Sequence, residues 1–142
     1  MRLTCNRVAC VALAVAITAV AGCGSRRADI SGRMTYQGKT IEVGSVTLLG
    51  VDGLPVICAI NGGRYSGNVP VGSVRVGINS FDPAVQLQAY QRDGAVPADI
   101  KAELTAQRAK WFPVPGKFGD PRASGLVINV TGTGETFDFD LQ

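Results

Sequence analysis

Two hydrophobic patterns divide this chain. Residues 8–21 form one apolar run interrupted only by Thr18, Val8-Ala9-Cys10-Val11-Ala12-Leu13-Ala14-Val15-Ala16-Ile17-Thr18-Ala19-Val20-Ala21. From Ile30 onward, apolar and polar positions instead alternate with the period of two that marks half-buried strands. Ile30, Gly32, Met34 and Tyr36 fall on one face, with Ser31, Arg33 and Thr35 on the other. Gln37-Gly38-Lys39 signals a turn, and a second strand begins at Val43 with Val46 and Leu48 sharing a face. After a break at 51–55, Val56-Ile57-Cys58-Ala59-Ile60 is apolar at every position, which predicts a central strand covered on both faces. Asn61-Gly62-Gly63 turns the chain into a short strand at Arg64-Tyr65-Ser66. The clearest alternation follows, with Val74, Val76 and Ile78 inward against Ser73, Arg75, Gly77 and Asn79.

The regular spacing then stops. Residues 81–122 are too many for an ordinary strand connection, and connections of this length are commonly functional or disordered. Within them, 99–111 is rich in helix formers, with Ile100, Leu104 and Trp111 near one face, Asp99 as a candidate cap and Pro113 beyond the end. Two readings stay open for this insertion: a helix laid over a sheet edge, or a partner-binding element. The chain closes with Leu126, Ile128 and Val130 on one face of a strand. A turn at Gly132-Thr133-Gly134 follows, and then Phe137, Phe139 and Leu141 alternate with Asp138 and Asp140. About seven short strands predict an all-β, two-sheet antiparallel sandwich with one long, partly helical insertion between late strands.

The first pattern is of a different kind. Arg2 and Arg7 precede an apolar run too short for a membrane span of about 20 residues, and small residues follow it, as in an export leader. Val20-Ala21-Gly22-Cys23 resembles the bacterial lipobox. The resemblance implies cleavage before Cys23 and attachment of lipid to its thiol. It also implies retention by two or more acyl chains, where one alone would hold the protein only marginally. The organisation expected is therefore a lipoprotein signal peptide over 1–22, a lipidated N-terminus and short linker over 23–29, and a β-sandwich domain over 30–142. Gly24 and Ser25 lack the Asp that retains many such lipoproteins on the inner membrane, so an outer-membrane or surface location is favoured.

A second resemblance covers nearly all of the remaining chain. Ile30-Ser31-Gly32-Arg33-Met34-Thr35-Tyr36-Gln37-Gly38-Lys39, Gly44-Ser45-Val46-Thr47 and Gly63-Arg64-Tyr65-Ser66 are similar to the opening of small bacterial lipoproteins with a carboxypeptidase-regulatory-like, transthyretin-like domain. Phe112-Pro113, Lys117-Phe118-Gly119-Asp120-Pro121, Ser124-Gly125-Leu126 and Thr136-Phe137-Asp138-Phe139-Asp140-Leu141 resemble that family's ending. The resemblance implies a seven-stranded prealbumin-like sandwich with no established enzymatic role. The chain departs from the pattern with Phe118 where Tyr is usual, and with Asn61-Gly62-Gly63 where Asp-Gly is usual.

Composition narrows the chemistry. The 142 residues, 46% hydrophobic and 18% charged, fit one domain plus a leader. Without 1–22, 12 basic side chains face 11 acidic ones, too balanced for the clustered charge of a nucleic-acid binder. The chain has no His, so the commonest general base and transition-metal ligand are missing. Beyond Cys23 the sole thiol is Cys58, expected to behave as a small buried hydrophobe. Asp138 and Asp140 stand on one strand face about 7 Å apart, but calcium needs six to eight oxygens and no acidic loop supplies the rest. Asn61-Gly62-Gly63 lacks the Lys-Ser/Thr of a phosphate loop. Asn129-Val130-Thr131 matches a glycosylation sequon inside a predicted strand, and Lys101 and Lys110 have no partner constellation.

No catalytic residue, cofactor or metal ligand is therefore expected, and lipidation at Cys23 is the one assigned modification. The function expected is a membrane-anchored exported lipoprotein that presents a non-catalytic interaction or structural module to an envelope protein or polysaccharide. The alternative is an envelope carrier of a small ligand or carbohydrate, with Tyr65, Tyr90 and Trp111 as candidate aromatic contacts. A carrier calls for a concave apolar pocket, and an interaction module for an exposed apolar patch or open strand edge near the insertion.

Overall fold

The computed structural model describes residues 26–142, so Cys23 and the leader lie outside the described residues. Strand β1 (Arg27–Tyr36) is followed by β2 (Lys39–Thr40), β3 (Val43–Leu49), β4 (Pro55–Asn61), β5 (Arg64–Pro70) and β6 (Gly72–Asn79). Helices α1 (Pro83–Asp93) and α2 (Ala98–Lys110) come next, then β7 (Leu126–Val130), β8 (Glu135–Thr136) and β9 (Phe139–Leu141). The fold is an all-β sandwich formed by a curled sheet, with strand order β2-β1-β5-β4-β3-β6-β7.

The curl occurs between β4 and β5. These strands pair only at the tip of their hairpin, Asn61 with Arg64, whereas β4 pairs with β3 over seven positions and β5 with β1 over seven. One layer is therefore β4-β3-β6-β7 and the other is β5-β1 with the closing strands. Their inner faces meet in a core of Ile30, Met34, Val46, Leu48, Cys58, Ile60, Tyr65, Val69, Val74, Val76, Ile78, Ile128, Val130 and Leu141. At the hairpin tip, Gly62 and Gly63 take left-handed φ values of 56° and 76°, which a glycine pair accepts without Cβ strain.

Several expectations are corrected. The first strand begins at Arg27 rather than Ile30. Ala28 is already in the core, and the N–H of Val71 donates to the Arg26 carbonyl, so Arg27, Ala28 and Asp29 of the expected linker belong to the sheet. Strand β4 is not covered on both faces: Cys58 and Ile60 point inward while Ile57 is 70% exposed. The sandwich is not wholly antiparallel either. Strands β8 and β9 lie parallel to β1, pairing Ser31 with Thr136 and Thr35 with Asp140. This follows from β7 and β8 lying in different layers, so that the chain crosses over instead of making a hairpin.

The insertion holds two helices, not one. Asp82 caps α1 by accepting the Ala84 N–H at 2.9 Å, Pro83 occupies its first turn and Gly94 ends it. In α2 the cap position is Pro97, and Asp99 lies in the first turn without capping, where its charge still suits the helix N-terminus. Instead of covering a sheet edge, α2 stands at the end of the central strands, where Lys110 pairs with Glu42 at 3.2 Å just before β3. The second half of the insertion is built into the sandwich. Phe118 is buried, Phe112 and Phe118 pack on Tyr36, and a Cβ at Gly77 would lie 2.6 Å from the Gly119 carbonyl that crosses β6. Ser124 donates its hydroxyl to the Val76 carbonyl at 2.6 Å and accepts the Leu126 N–H, launching β7 along β6.

Candidate functional site

The register of β1 sets the chemistry of the sandwich's outer face. The Met34 N–H donates to the Gly63 carbonyl at 2.9 Å, which makes Met34 and Gly63 a hydrogen-bonded pair. The neighbouring pair, Arg33 opposite Arg64, is therefore non-hydrogen-bonded, the class in which the Cα atoms approach to about 4.5 Å and the side chains lie closest. Both arginines are exposed because Gly32, Met34 and Tyr65 take the inward positions beside them.

Two rows cross this face. In the first, Asn61, Arg64 and Arg33 follow one another across β4, β5 and β1, with Asp138 beyond. In the second, Ser66, Ser31 and Thr136 are aligned by the pairings of β5 with β1 and of β1 with β8. Together they line a depression of about 570 Å³ on a floor of sheet.

The acidic groups nearby are already engaged. Asp138 lies in the gap between β8 and β9, where its Oδ1 accepts the Arg33 backbone N–H at 2.8 Å in place of a strand partner. Asp140 accepts the Thr35 hydroxyl at 2.8 Å. The two carboxylates tie the closing strands to β1 rather than standing as a free solvated pair. Asp29, one row below the serines, accepts from Asn68 at 2.7 Å, and Asn68 in turn accepts from Arg27, which also pairs with Asp52 at 3.2 Å. Among the described residues the ion pairs are Arg27–Asp52, Arg108–Asp82 and Lys110–Glu42, so neither Arg33 nor Arg64 has a carboxylate partner.

The other sequence candidates are placed apart. Tyr65 lies under the depression with its ring in the core and its hydroxyl donating to the Phe137 carbonyl at 2.9 Å. Burial pushes that hydroxyl far above the usual tyrosine range, with Asp138 and Cys58 adding to the effect, so it neither titrates nor shuttles protons near neutrality. Burial likewise raises the Cys58 thiol, which makes it a poor nucleophile. Tyr90 is exposed on α1, while Trp111 sits at the end of α2 under the Arg108 guanidinium, 4.9 Å from its ring centre. The three aromatic candidates do not form one site. Cys23 lies outside the described residues. Among the described residues no group of three His, Cys, Asp or Glu side chains is placed to hold a metal ion.

In the sequence Arg33 stands on the polar face of one strand and Arg64 in a separate short strand, with nothing to bring them together. Pairing β1 with β5 in this register required the tertiary structure.

No protein-family model matches the chain, and no curated protein matches it. Among solved structures, a DUF3823 family protein from Parabacteroides merdae is similar, with a TM-score of 0.46 and 13% sequence identity. The match covers 84% of this chain and 47% of that one, so the chain spans about half the length of that protein.

Proposed function

We propose that this protein is an exported lipoprotein of the small carboxypeptidase-regulatory-like kind, held to a bacterial membrane through Cys23, whose sandwich is a non-catalytic binding module at the cell envelope. The lipobox-like Val20-Ala21-Gly22-Cys23 supports the anchor. Three residues separate Cys23 from the start of β1, a reach of roughly 13 Å, which would keep the domain close to the lipid surface.

The observation that carries the interaction reading is what the insertion leaves uncovered. Phe81, Val85 and Tyr90 are each more than half exposed in and before α1. Strand β7, directly after the insertion, pairs only with β6 among the described residues and presents an open edge with Val127 exposed. The carrier reading called for a concave apolar pocket, whereas the 570 Å³ depression is lined by arginines, hydroxyls and amides. An envelope protein or polysaccharide is the partner this surface suits.

Fractionation with globomycin tests the anchor. Membrane association should depend on Cys23, be lost in Cys23→Ala, and be accompanied by an unprocessed precursor when the peptidase is inhibited. A soluble, correctly cleaved wild-type protein would refute it. In-cell cross-linking from position 85 or 127 should capture a discrete envelope partner, and glycan binding without any protein adduct would favour the carrier.

A further inference from the structure

The geometry points to an oxyanion-binding site on the outer face of β1 and β5, where Arg33 and Arg64 together take a carboxylate or phosphate group. This deepens the binding-module reading and rests on it. Two arginines directly opposed on adjacent strands, both lining one depression, bring like charges together, and a bridging anion converts that repulsion into two charge-assisted contacts. The contrast with Arg27 on the same face is informative. Arg27 is tied to Asp52, to the Asn68 side chain and to the Asn68 carbonyl, whereas Arg33 and Arg64 have no side-chain hydrogen bond or ion pair among the described residues.

The surrounding groups fit the same ligand. Asp138, the nearest carboxylate, is held by the Arg33 backbone N–H, and Asp29 by Asn68, so neither occupies the guanidinium groups. Ser66, Ser31 and Thr136 add a row of hydroxyl donors beside the arginines, and Asn61 adds a carboxamide at the far end. The floor is paired sheet, so the register sets the two arginines side by side before any ligand arrives. The pair stands six residues along β1 from Arg27, roughly 20 Å from where the chain enters the domain. An anion there can belong to a free phosphate, an acidic saccharide or a lipid headgroup.

The test uses the full-length protein purified in detergent. Inorganic phosphate and a uronic-acid oligosaccharide are titrated by calorimetry, and vesicles of phosphatidylglycerol are compared with phosphatidylcholine by co-sedimentation. Saturable binding in at least one anionic arm is expected, weakening as salt rises, and the arm that binds identifies the source. Arg33→Gln and Arg64→Gln should each weaken it about tenfold or more. Arg75→Gln, an exposed arginine on β6 in the other layer, should leave it unchanged. Absence of binding in every anionic arm, or binding that survives both Arg33→Gln and Arg64→Gln, would overturn the proposal. Fractionation and cross-linking of the same variants separate this from failure of the broader reading. A protein that binds no anion but still reaches its envelope partner retains the module and loses the oxyanion site.

Discussion

Gly67 on β5 and Cys58 on β4 meet across the sandwich: a Cβ on Gly67 would lie 2.6 Å from the Cys58 sulfur and 3.1 Å from Leu48 Cδ1. The missing side chain lets the two layers close where β4 and β5 have parted. Gly67→Ala should destabilise the domain by about 1–3 kcal/mol, the usual cost of overpacking a core. Cys58→Ala removes the opposing sulfur, so the double variant should recover part of that loss. Denaturant unfolding of the four proteins in the cycle measures the coupling, and strictly additive losses would place the two residues out of contact.

Asp82 does two jobs at the base of the helical insertion. Its carboxylate caps α1 and pairs with Arg108 of α2, whose guanidinium in turn covers Trp111. Asp82→Asn should keep the cap and lose only the ion pair, at a cost of about 1 kcal/mol or less. Asp82→Ala should lose both, with the cap alone worth about 0.5–2 kcal/mol. Hydrogen exchange in α1 should therefore accelerate more in the alanine variant than in the asparagine one. Equal rates would assign the whole effect to the ion pair.

Placing Arg33 against Arg64 opposes stability. Arg64→Gln should stabilise the domain by on the order of 0.2–1 kcal/mol at low ionic strength, because it removes a like-charge pair from directly opposed positions. The gain should shrink as added salt screens the pair. Thermal unfolding at two salt concentrations reads both effects, and a destabilised variant would show that Arg64 contributes more by packing than it costs by charge.

Glu135 closes the turn from β7 into β8. Its carboxylate accepts from the hydroxyl and N–H of Thr131, and these hydrogen bonds hold it below the usual carboxylate range. A carboxyl depressed by folding adds stability that is present above its unfolded value, about 4.3, and is lost as pH falls through its lower folded value. Glu135→Gln should therefore separate from the wild type above pH 5 and converge with it in acid. Unfolding across pH 2–7 checks the window, and a gap that widens in acid would carry the wrong sign.

The closing strands show where one-dimensional reading stops. Alternation placed Phe137, Phe139 and Leu141 toward the core, and each of them packs there. It carried nothing about partners, because period two is the same in parallel and antiparallel ladders. The pairing with β1 depends on Asp138 and Asp140 reaching groups more than a hundred positions away. Helix α1 was missed for a different reason. Its apolar residues form no buried stripe, with Val85 and Tyr90 exposed, although Asp82-Pro83 and Gly94 mark its start and stop in the letters alone.

For this protein the sequence by itself determined the class of structure and most of the inward-facing residues, because side-chain period and turn glycines are local properties of the backbone. It also carries the lipobox-like Cys23, a feature of linear sequence. The tertiary structure decided how the sheet curls between β4 and β5, that the second half of the insertion belongs to the core, and that Arg33 faces Arg64. Those outcomes depend on register and layer packing between distant segments, which no window along the chain contains.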